Sequence, residues 1–369
     1  MHKPPSSPRV VVAHVPDAHD HASAHERDTL LDYAKRLARL RGESFGGMFR
    51  PGQRYRAAPY FVPSSTLTLQ QAQALGITGP DDLFGGVVPD AFVASKAISH
   101  PLYGDRPAAP PSWRPEMSDR LRGAVLGGYA AFSLDDARLA GDALLRHGPV
   151  RLKPVRATGG RGQSVAHDAL ELQGQLEQIG SEEIGHGLVL EQNLEEVRTF
   201  SVGQVRVGDL LASYHGTQAL TRDNQDREVF GGSDLVVVLG GFDALTALEL
   251  PPEVRRAIDQ ARQYDAAVRT CFPAFYASRS NYDVAVGRAA AGRACSGVLE
   301  QSWRAGGATG PELVALEQFR ERRDCRVVRV AGAERFGPAA VVPPGAHVHF
   351  DGTDPEVGRL VKYSCVVPL

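Results

Sequence analysis

The chain has 369 residues, 43% hydrophobic and 23% charged, with a formal net charge of −2. That length accommodates two or three packed domains, and the near-neutral balance gives no electrostatic reason to expect nucleic acid or an anionic membrane as a partner. No apolar run is long enough to span a bilayer, and the opening M-H-K-P-P-S-S-P carries no apolar signal core, so a cytoplasmic location is expected.

In chain order, Arg9–Val15 is a β-rich apolar run and reads as a first strand. Arg27–Arg41 follows with helical spacing, Leu30, Leu31, Ala34, Leu37 and Ala38 sharing one face. The histidines around the junction (His14, His19, His21, His25) have no carboxylate or cysteine partners at ligand spacing and read as a polar loop capping that helix. Leu67–Leu75 reads as a short helix and Ala91–Ser95 as a strand, with Lys96 directly after it. The proline-rich stretch from His100 to Glu116 is the clearest linker. Leu134–His147 is an amphipathic helix with Ser133 as its cap. Ala166–Ile179 is predicted helical, Gly187–Leu194 a strand, and Arg198–Val207 with Leu210–Gln218 an antiparallel pair. Asp234–Leu239 is a further strand and Pro252–Val268 a helix opened by proline. Ser280–Val286 and Ser296–Arg304 read as a hairpin, Pro311–Arg323 as a last helix, and the rest as a strand-rich tail.

Four cysteines (Cys271, Cys295, Cys325, Cys365) lie far apart with no C-x-x-C pair, which indicates neither a zinc ribbon nor a disulfide framework. Only five of the 41 basic residues are lysines: Lys3, Lys35, Lys96, Lys153 and Lys362. Arginine holds the ordinary surface roles, so each remaining lysine is a candidate for a site that needs a compact ammonium.

Two segments carry chemistry. Pro149–Val165, P-V-R-L-K-P-V-R-A-T-G-G-R-G-Q-S-V, places Lys153 on a strand before a loop with Gly159, Gly160 and Gly162. Glycine lets backbone N–H groups approach phosphate oxygens, and the lysine adds a mobile positive charge. The late hairpin reads N-Y-D-V-A-V-G, a turn, then S-G-V-L-E-Q-S-W-R. With period-2 alternation Glu300, Ser302 and Arg304 share a face, with Trp303 on the other, and Asp283 on the partner strand can join them. Carboxylate oxygens are what Mg²⁺ takes when it also holds substrate phosphates, and arginine suits a phosphate or carboxylate.

The order of lysine strand, glycine flap, acidic strand and acidic hairpin resembles the ATP-grasp superfamily. The resemblance covers roughly Lys96 to Arg304 and is closest to an uncharacterised bacterial subgroup of that superfamily. It implies an α/β (α+β) fold with a Rossmann-like pre-ATP-grasp domain over residues 1–95. An ATP-grasp domain over 96–310 would follow, with a small lid subdomain at about 120–190 and a large one at about 191–310. Residues 311–369 would form a C-terminal helix and strand tail. Lys96 and Lys153 fit the family's two phosphate-binding lysines. The segment L-V-L-E-Q-N-L resembles the adenine hinge of biotin carboxylase. Glu191 would meet an adenine or ribose donor, and the backbone from Gln192 to Leu194 would read the adenine edge. Asp283 and Glu300 fit the metal motif, Ser302 replaces its usual Asn as a weaker ligand, and Arg304 falls where the family binds phosphate or substrate.

The resemblance further implies ATP and Mg²⁺ (or Mn²⁺) as cofactors, and a ligase that activates a carboxylate as an acylphosphate for attack by an amine or thiol. The carboxylate is a small molecule or is borne on a carrier, and a homodimer is the assembly to consider. Biotin-carboxylase-like carboxyphosphate chemistry is one alternative; a nucleotide-binding regulatory protein without turnover, admitted by Ser302, is another. The stretch from Ser213 to Ser233 is expected to form a loop near the site, with Arg222, Arg227 and Ser233 as candidate substrate contacts. His347 and His349, two residues apart on the tail, read as structural or exposed.

Overall fold

A computed structural model describes residues 8–16, 23–156 and 162–368. His19 and His21 of the histidine-rich junction, and Gly159 and Gly160 of the flap, lie outside the described residues.

The apolar run Val10–His14 is the centre of a three-stranded parallel sheet, flanked by Ser44–Met48 and Pro59–Pro63. The helix Ala24–Arg41 forms the first crossover. Glu26 accepts the Ser23 N–H at 2.9 Å at its start, and Gly42 closes it in the left-handed conformation at φ +68°, where a Cβ would be strained. The predicted helix at 67–75 narrows to Leu69–Ala74, capped by Thr68. The predicted strand Ala91–Ser95 is instead a 3₁₀ turn, Ala91–Ala94, followed by another, Lys96–Ser99. The short apolar run does not separate strand from helix, and Val93 is buried in the observed turn.

A four-stranded antiparallel sheet follows, in the order Gly128–Ala131, Leu188–Gln192, Val150–Pro154, Ser164–Ala166. Val150, Leu152, Leu188 and Leu190 face the helices Leu134–Leu145 and Ala169–Ile179 and form a small core with Ala137, Ala140, Leu172 and Leu176. Alternation therefore turns Arg151, Lys153, Val189 and Glu191 to the opposite face.

The largest element is an eight-stranded antiparallel sheet. Its order is Ala294–Ser302, Arg279–Arg288, Glu195–Val207, Leu210–Arg222, Glu228–Leu239, Val327–Phe336, Gly358–Val367, His347–Asp354. The helix Pro252–Cys271 packs on residues such as Phe200, Val202, Tyr282 and Val298. The helices Ala24–Arg41 and Thr309–Glu321 share a second core with Val205, Tyr214, Leu235 and Val330. The last strands extend the same sheet that carries the acidic hairpin. The stretch expected to be a loop, Ser213–Ser233, lies within the Leu210–Arg222 and Glu228–Leu239 hairpin: its polar residues cluster at the 223–227 turn, and the flanking residues alternate into the ladder.

Candidate nucleotide and metal site

Lys153 lies on the face of the small sheet that points away from its helices. Its ammonium is 2.7 Å from Glu191 Oε1, and both side chains are buried, Glu191 to 1% exposure. The other carboxylate oxygen, Oε2, lies 3.4 Å from His100 Nε2. Burial by itself pushes the Glu191 carboxyl up, but the adjacent Lys153 ammonium and His100 outweigh it and hold the pKa at about 2. A Cβ at position 128, directly across from Glu191, would come within 2.6 Å of the Leu190 carbonyl oxygen, so glycine is required there for the two strands to approach.

The second lysine arrives by another route. The turn Lys96–Ser99 is anchored by Ser99, whose hydroxyl is 2.8 Å from Tyr264 Oη. Tyr264 donates to Gln301 at 2.9 Å, and Gln301 donates to the Ser95 carbonyl at 2.8 Å. From that anchor Lys96 reaches Glu300 Oε2 at 2.9 Å, while His100, four residues on, reaches Glu191. One five-residue stretch thus ties the acidic hairpin to the small sheet. His100 had a sequence signal only in its spacing from Lys96 and reads there as the start of a linker.

The acidic hairpin forms, with Asp283 and Glu300 on one face. Asp283 pairs directly with Glu300, Tyr282 with Gln301 and Asn281 with Ser302; a bulge after Asp283 shifts the rest of the ladder. Three donors converge on Asp283 Oδ1: Gln218 Nε2 at 2.7 Å, Asn281 Nδ2 at 2.8 Å and Ser201 Oγ at 3.1 Å. Burial and the facing Glu300 charge push the Asp283 carboxyl above the usual carboxylate range. Glu300, with its side chain 36% exposed, moves down because Lys96 outweighs burial. This pair of carboxylates fits a divalent cation, which would offset the Asp283–Glu300 repulsion with oxygen ligands. Ser302 fits less well, because its hydroxyl lies 3.5 Å from the Arg279 guanidinium.

Arg279 belongs to a buried network that the sequence reading missed. Its guanidinium bonds Glu312 at 2.9–3.1 Å and the carbonyls of Ser302 at 3.2 Å and Arg304 at 2.6 Å. Glu312 accepts from Tyr214 at 2.6 Å, and Tyr214 lies 2.9 Å from Asn281 Oδ1. The network fixes the backbone from Ser302 to Arg304 and, through Asn281, the Asp283 carboxylate. Its sequence signal is weak, since each member alone reads as an ordinary strand or helix residue.

The other candidates separate. Arg304, at the end of the hairpin, donates to the Ala305 carbonyl at 2.9 Å and lowers the Glu300 carboxyl electrostatically. In the hinge, the amides of Gln192 and Asn193 are taken by the carbonyls of Gly127 and Pro149, both at 2.9 Å, which narrows the backbone donor for a ligand to Leu194. Gly162, φ +68°, closes the flap. Arg222 and Arg227 sit at an exposed hairpin tip, paired with Asp226 at 3.4 Å and Asp223 at 2.7 Å. Ser233 is buried in its strand, opposite Gln218. A cavity of about 760 Å³, lined by residues including His100, Gly128, Gln192, Asn193 and Arg293, touches the site but does not reach Lys153, Asp283 or Glu300, which are engaged with one another or with their neighbours.

A family profile matches residues 11–364, nearly the whole chain, under the description protein of unknown function (DUF3182). The chain belongs to this family. A search of curated proteins found no match. Among solved structures, a biotin carboxylase–β,γ-ATP complex from Campylobacter jejuni aligns with TM-score 0.57 at 10% identity, over 97% of this chain and 87% of that one. The biotin carboxylase domain of the 2-oxoglutarate carboxylase from Hydrogenobacter thermophilus gives 0.55 at 13% identity, over 98% and 86%. A phosphoribosylamine–glycine ligase from Thermotoga maritima gives 0.54 at 12% identity, over 97% and 92%. The family member described here therefore has the ATP-grasp fold, in a mixed α/β architecture. Among its described residues no helix is long and apolar enough to cross a membrane.

Proposed function

We propose that the chain is an ATP-dependent ligase that binds Mg-ATP between the small sheet and the acidic hairpin and activates a carboxylate as an acylphosphate for attack by an amine or thiol. The observation that carries this reading is the in-register Asp283–Glu300 pair with the Lys96 ammonium 2.9 Å from Glu300. Cations and carboxylates at that spacing suit a polyphosphate bridged by a metal ion. Asp283 and Glu300 would hold Mg²⁺, which when bound neutralises charge on the phosphates.

Lys153 and Lys96 would exchange their carboxylate partners for phosphate oxygens. Glu191, relieved of Lys153, would face the nucleotide, and the Leu194 amide would read the adenine edge. Arg304 would orient the transferring phosphoryl group or the carboxylate substrate. Positioning and charge neutralisation carry most of such chemistry, so losing one preorganised contact should raise the barrier by about 2–4 kcal/mol. The domain limits 1–95, 96–310 and 311–369, a cytoplasmic location and a homodimer belong to the same proposal. The structural likeness to biotin carboxylases keeps carboxyphosphate chemistry as a second reading.

Calorimetric titration of Mg-ATP into the wild type, Lys153→Ala and Glu300→Ala tests the site. Binding by the folded wild type that collapses in both variants supports it. A folded wild type that binds no Mg-ATP overturns it. If binding holds, bicarbonate-stimulated ADP release without an added amine selects the carboxyphosphate reading over the ligase.

A further inference from the structure

We propose that Asp32, His347 and His349 form a second metal site, independent of the nucleotide cleft, for a divalent first-row transition ion, with Zn²⁺ as the best-fitting one. Asp32 lies on the helix Ala24–Arg41, and both histidines lie on the strand His347–Asp354. Their ligand atoms converge. His347 Nε2 is 2.9 Å and His349 Nδ1 2.8 Å from the same Asp32 oxygen, Oδ2, and all three ligand atoms lie within 4.8 Å of one another. Zinc–nitrogen and zinc–oxygen bonds in a tetrahedral shell set neighbouring ligand atoms roughly 3.3 Å apart. The two separations from Asp32 Oδ2 are therefore a few tenths of an ångström short of a filled shell. Two imidazoles and one carboxylate suit Zn²⁺ better than Mg²⁺, which prefers oxygen.

Three further features build the site. First, the ladder between His347–Asp354 and Gly358–Val367 shifts register between Val348 and Phe350, so His349 is the bulged residue. Regular alternation would already place both rings on one side; the bulge re-aims His349 so that both reach the same oxygen. Second, the remaining ring nitrogen of His349 is 2.8 Å from Ser364 Oγ, which fixes which nitrogen faces Asp32, as an outer partner does in metal sites. Third, a Cβ on Gly310 would lie 2.5 Å from His349 Nε2 and 2.4 Å from Ser364 Oγ, so the helix Thr309–Glu321 makes room for this arrangement with a glycine.

The nearby Arg36 cation pairs with Glu317 through Nε at 2.9 Å and Nη2 at 2.6 Å. His349 is buried, whereas the His347 side chain is 37% exposed, which gives the ion an entry path and leaves a coordination position for water. The ion would clip the N-terminal helix to the C-terminal strands of the large sheet.

The test uses the full chain: elemental analysis as purified, then chelator treatment and titration with Zn²⁺ and with Co²⁺, whose visible bands report nitrogen coordination. The expected result is one ion per chain, with a raised Tm on Zn²⁺ addition. Asp32→Asn and His347→Ala should each lose the Co²⁺ bands, and Ser364→Ala should weaken affinity on the order of tenfold or more. Glu300→Gln, in the nucleotide cleft, should leave the bands unchanged. His347 is the most exposed ligand, so its variant keeps the fold if Asp32→Asn does not. Protein that takes up no Zn²⁺ or Co²⁺, or Co²⁺ bands that survive both ligand variants, overturns the site and leaves the three residues as a hydrogen-bonded staple.

Discussion

Lys153 and Lys96 make ion pairs of nearly equal length in different surroundings. Lys153 and Glu191 meet at 2.7 Å with both partners buried, and Lys96 and Glu300 meet at 2.9 Å with the carboxylate 36% exposed. Around Glu191 the charge is matched by Lys153 at Oε1, while Oε2 lies 3.4 Å from His100 and has no hydrogen-bond partner among the described residues. Around Asp283 two carboxylates face each other, and the three hydrogen bonds to Oδ1 come from neutral donors. The first region is charge-balanced within the protein, while the second, with Lys96 counted, keeps one more carboxylate than ammonium.

The largest effect is expected where the hairpin is braced. Arg279→Ala would strand Glu312, which has no solvent exposure, and should destabilise the chain by about 3–5 kcal/mol, read by equilibrium denaturation. Replacing Arg279 and Glu312 together by apolar residues should restore much of that. If the single and double variants unfold alike, the network does not brace the hairpin through charge.

Next come the two lysines. Lys153→Ala leaves a buried carboxylate and should lower stability by about 3 kcal/mol, against about 1 kcal/mol or less for Lys96→Ala, whose partner reaches water. Equal losses would erase the difference between the two regions.

The carboxylates differ in sign. The folded pKa of Glu191, about 2, lies below its unfolded value of about 4.3, so its stabilisation is present above that value and is lost as pH falls toward 2. Glu191→Gln should flatten the acid limb of the stability curve in that window. Asp283 is shifted upward, so its contribution is present below the unfolded value and is lost as pH rises through the folded one. Asp283→Asn should therefore be more stable than the wild type at neutral pH without Mg²⁺, with the gap closing on acidification. A wild type already as stable as the variant at neutral pH would remove the surplus-charge reading. The smallest effect is at the hairpin tip: Arg222→Ala should change stability by less than about 0.5 kcal/mol and leave Mg-ATP binding unchanged, since its partner Asp226 is exposed. A loss of binding there would return the tip to the site.

Alternation made the shared face of Asp283 and Glu300 legible, but not the pairing itself: strict period 2 would put Val298 beside Glu300, and only the bulge after Asp283 turns it to the buried side with Tyr282 and Val284. Lys153 was legible because glycines follow it on a strand. Glu191 was found as a hinge residue, but its partners were not: period 2 gives the face of Lys153 and Glu191, while which groups meet across that face depends on the Lys96–Ser99 turn. Arg279, Glu312, Tyr214 and Gln218 were invisible, since they lie up to 98 residues apart in contact and share no local pattern. The Ala91–Ser95 strand failed because a five-residue apolar run has too little periodicity to distinguish a strand from a 3₁₀ turn.

By itself, the sequence determined the first strand and its helix, the lysine strand, the acidic hairpin and the major helices, because each depends on periodicity and caps within a short window; the two strands that flank Val10–His14 were not read from it. Only the tertiary structure decided which charges cancel and which do not. It brought His100 to Glu191, placed three neutral donors on Asp283, and set Asp32 against two histidines more than 300 residues away. Such pairings depend on strand order and helix docking, which bring together residues whose separation along the chain carries no record of their contact.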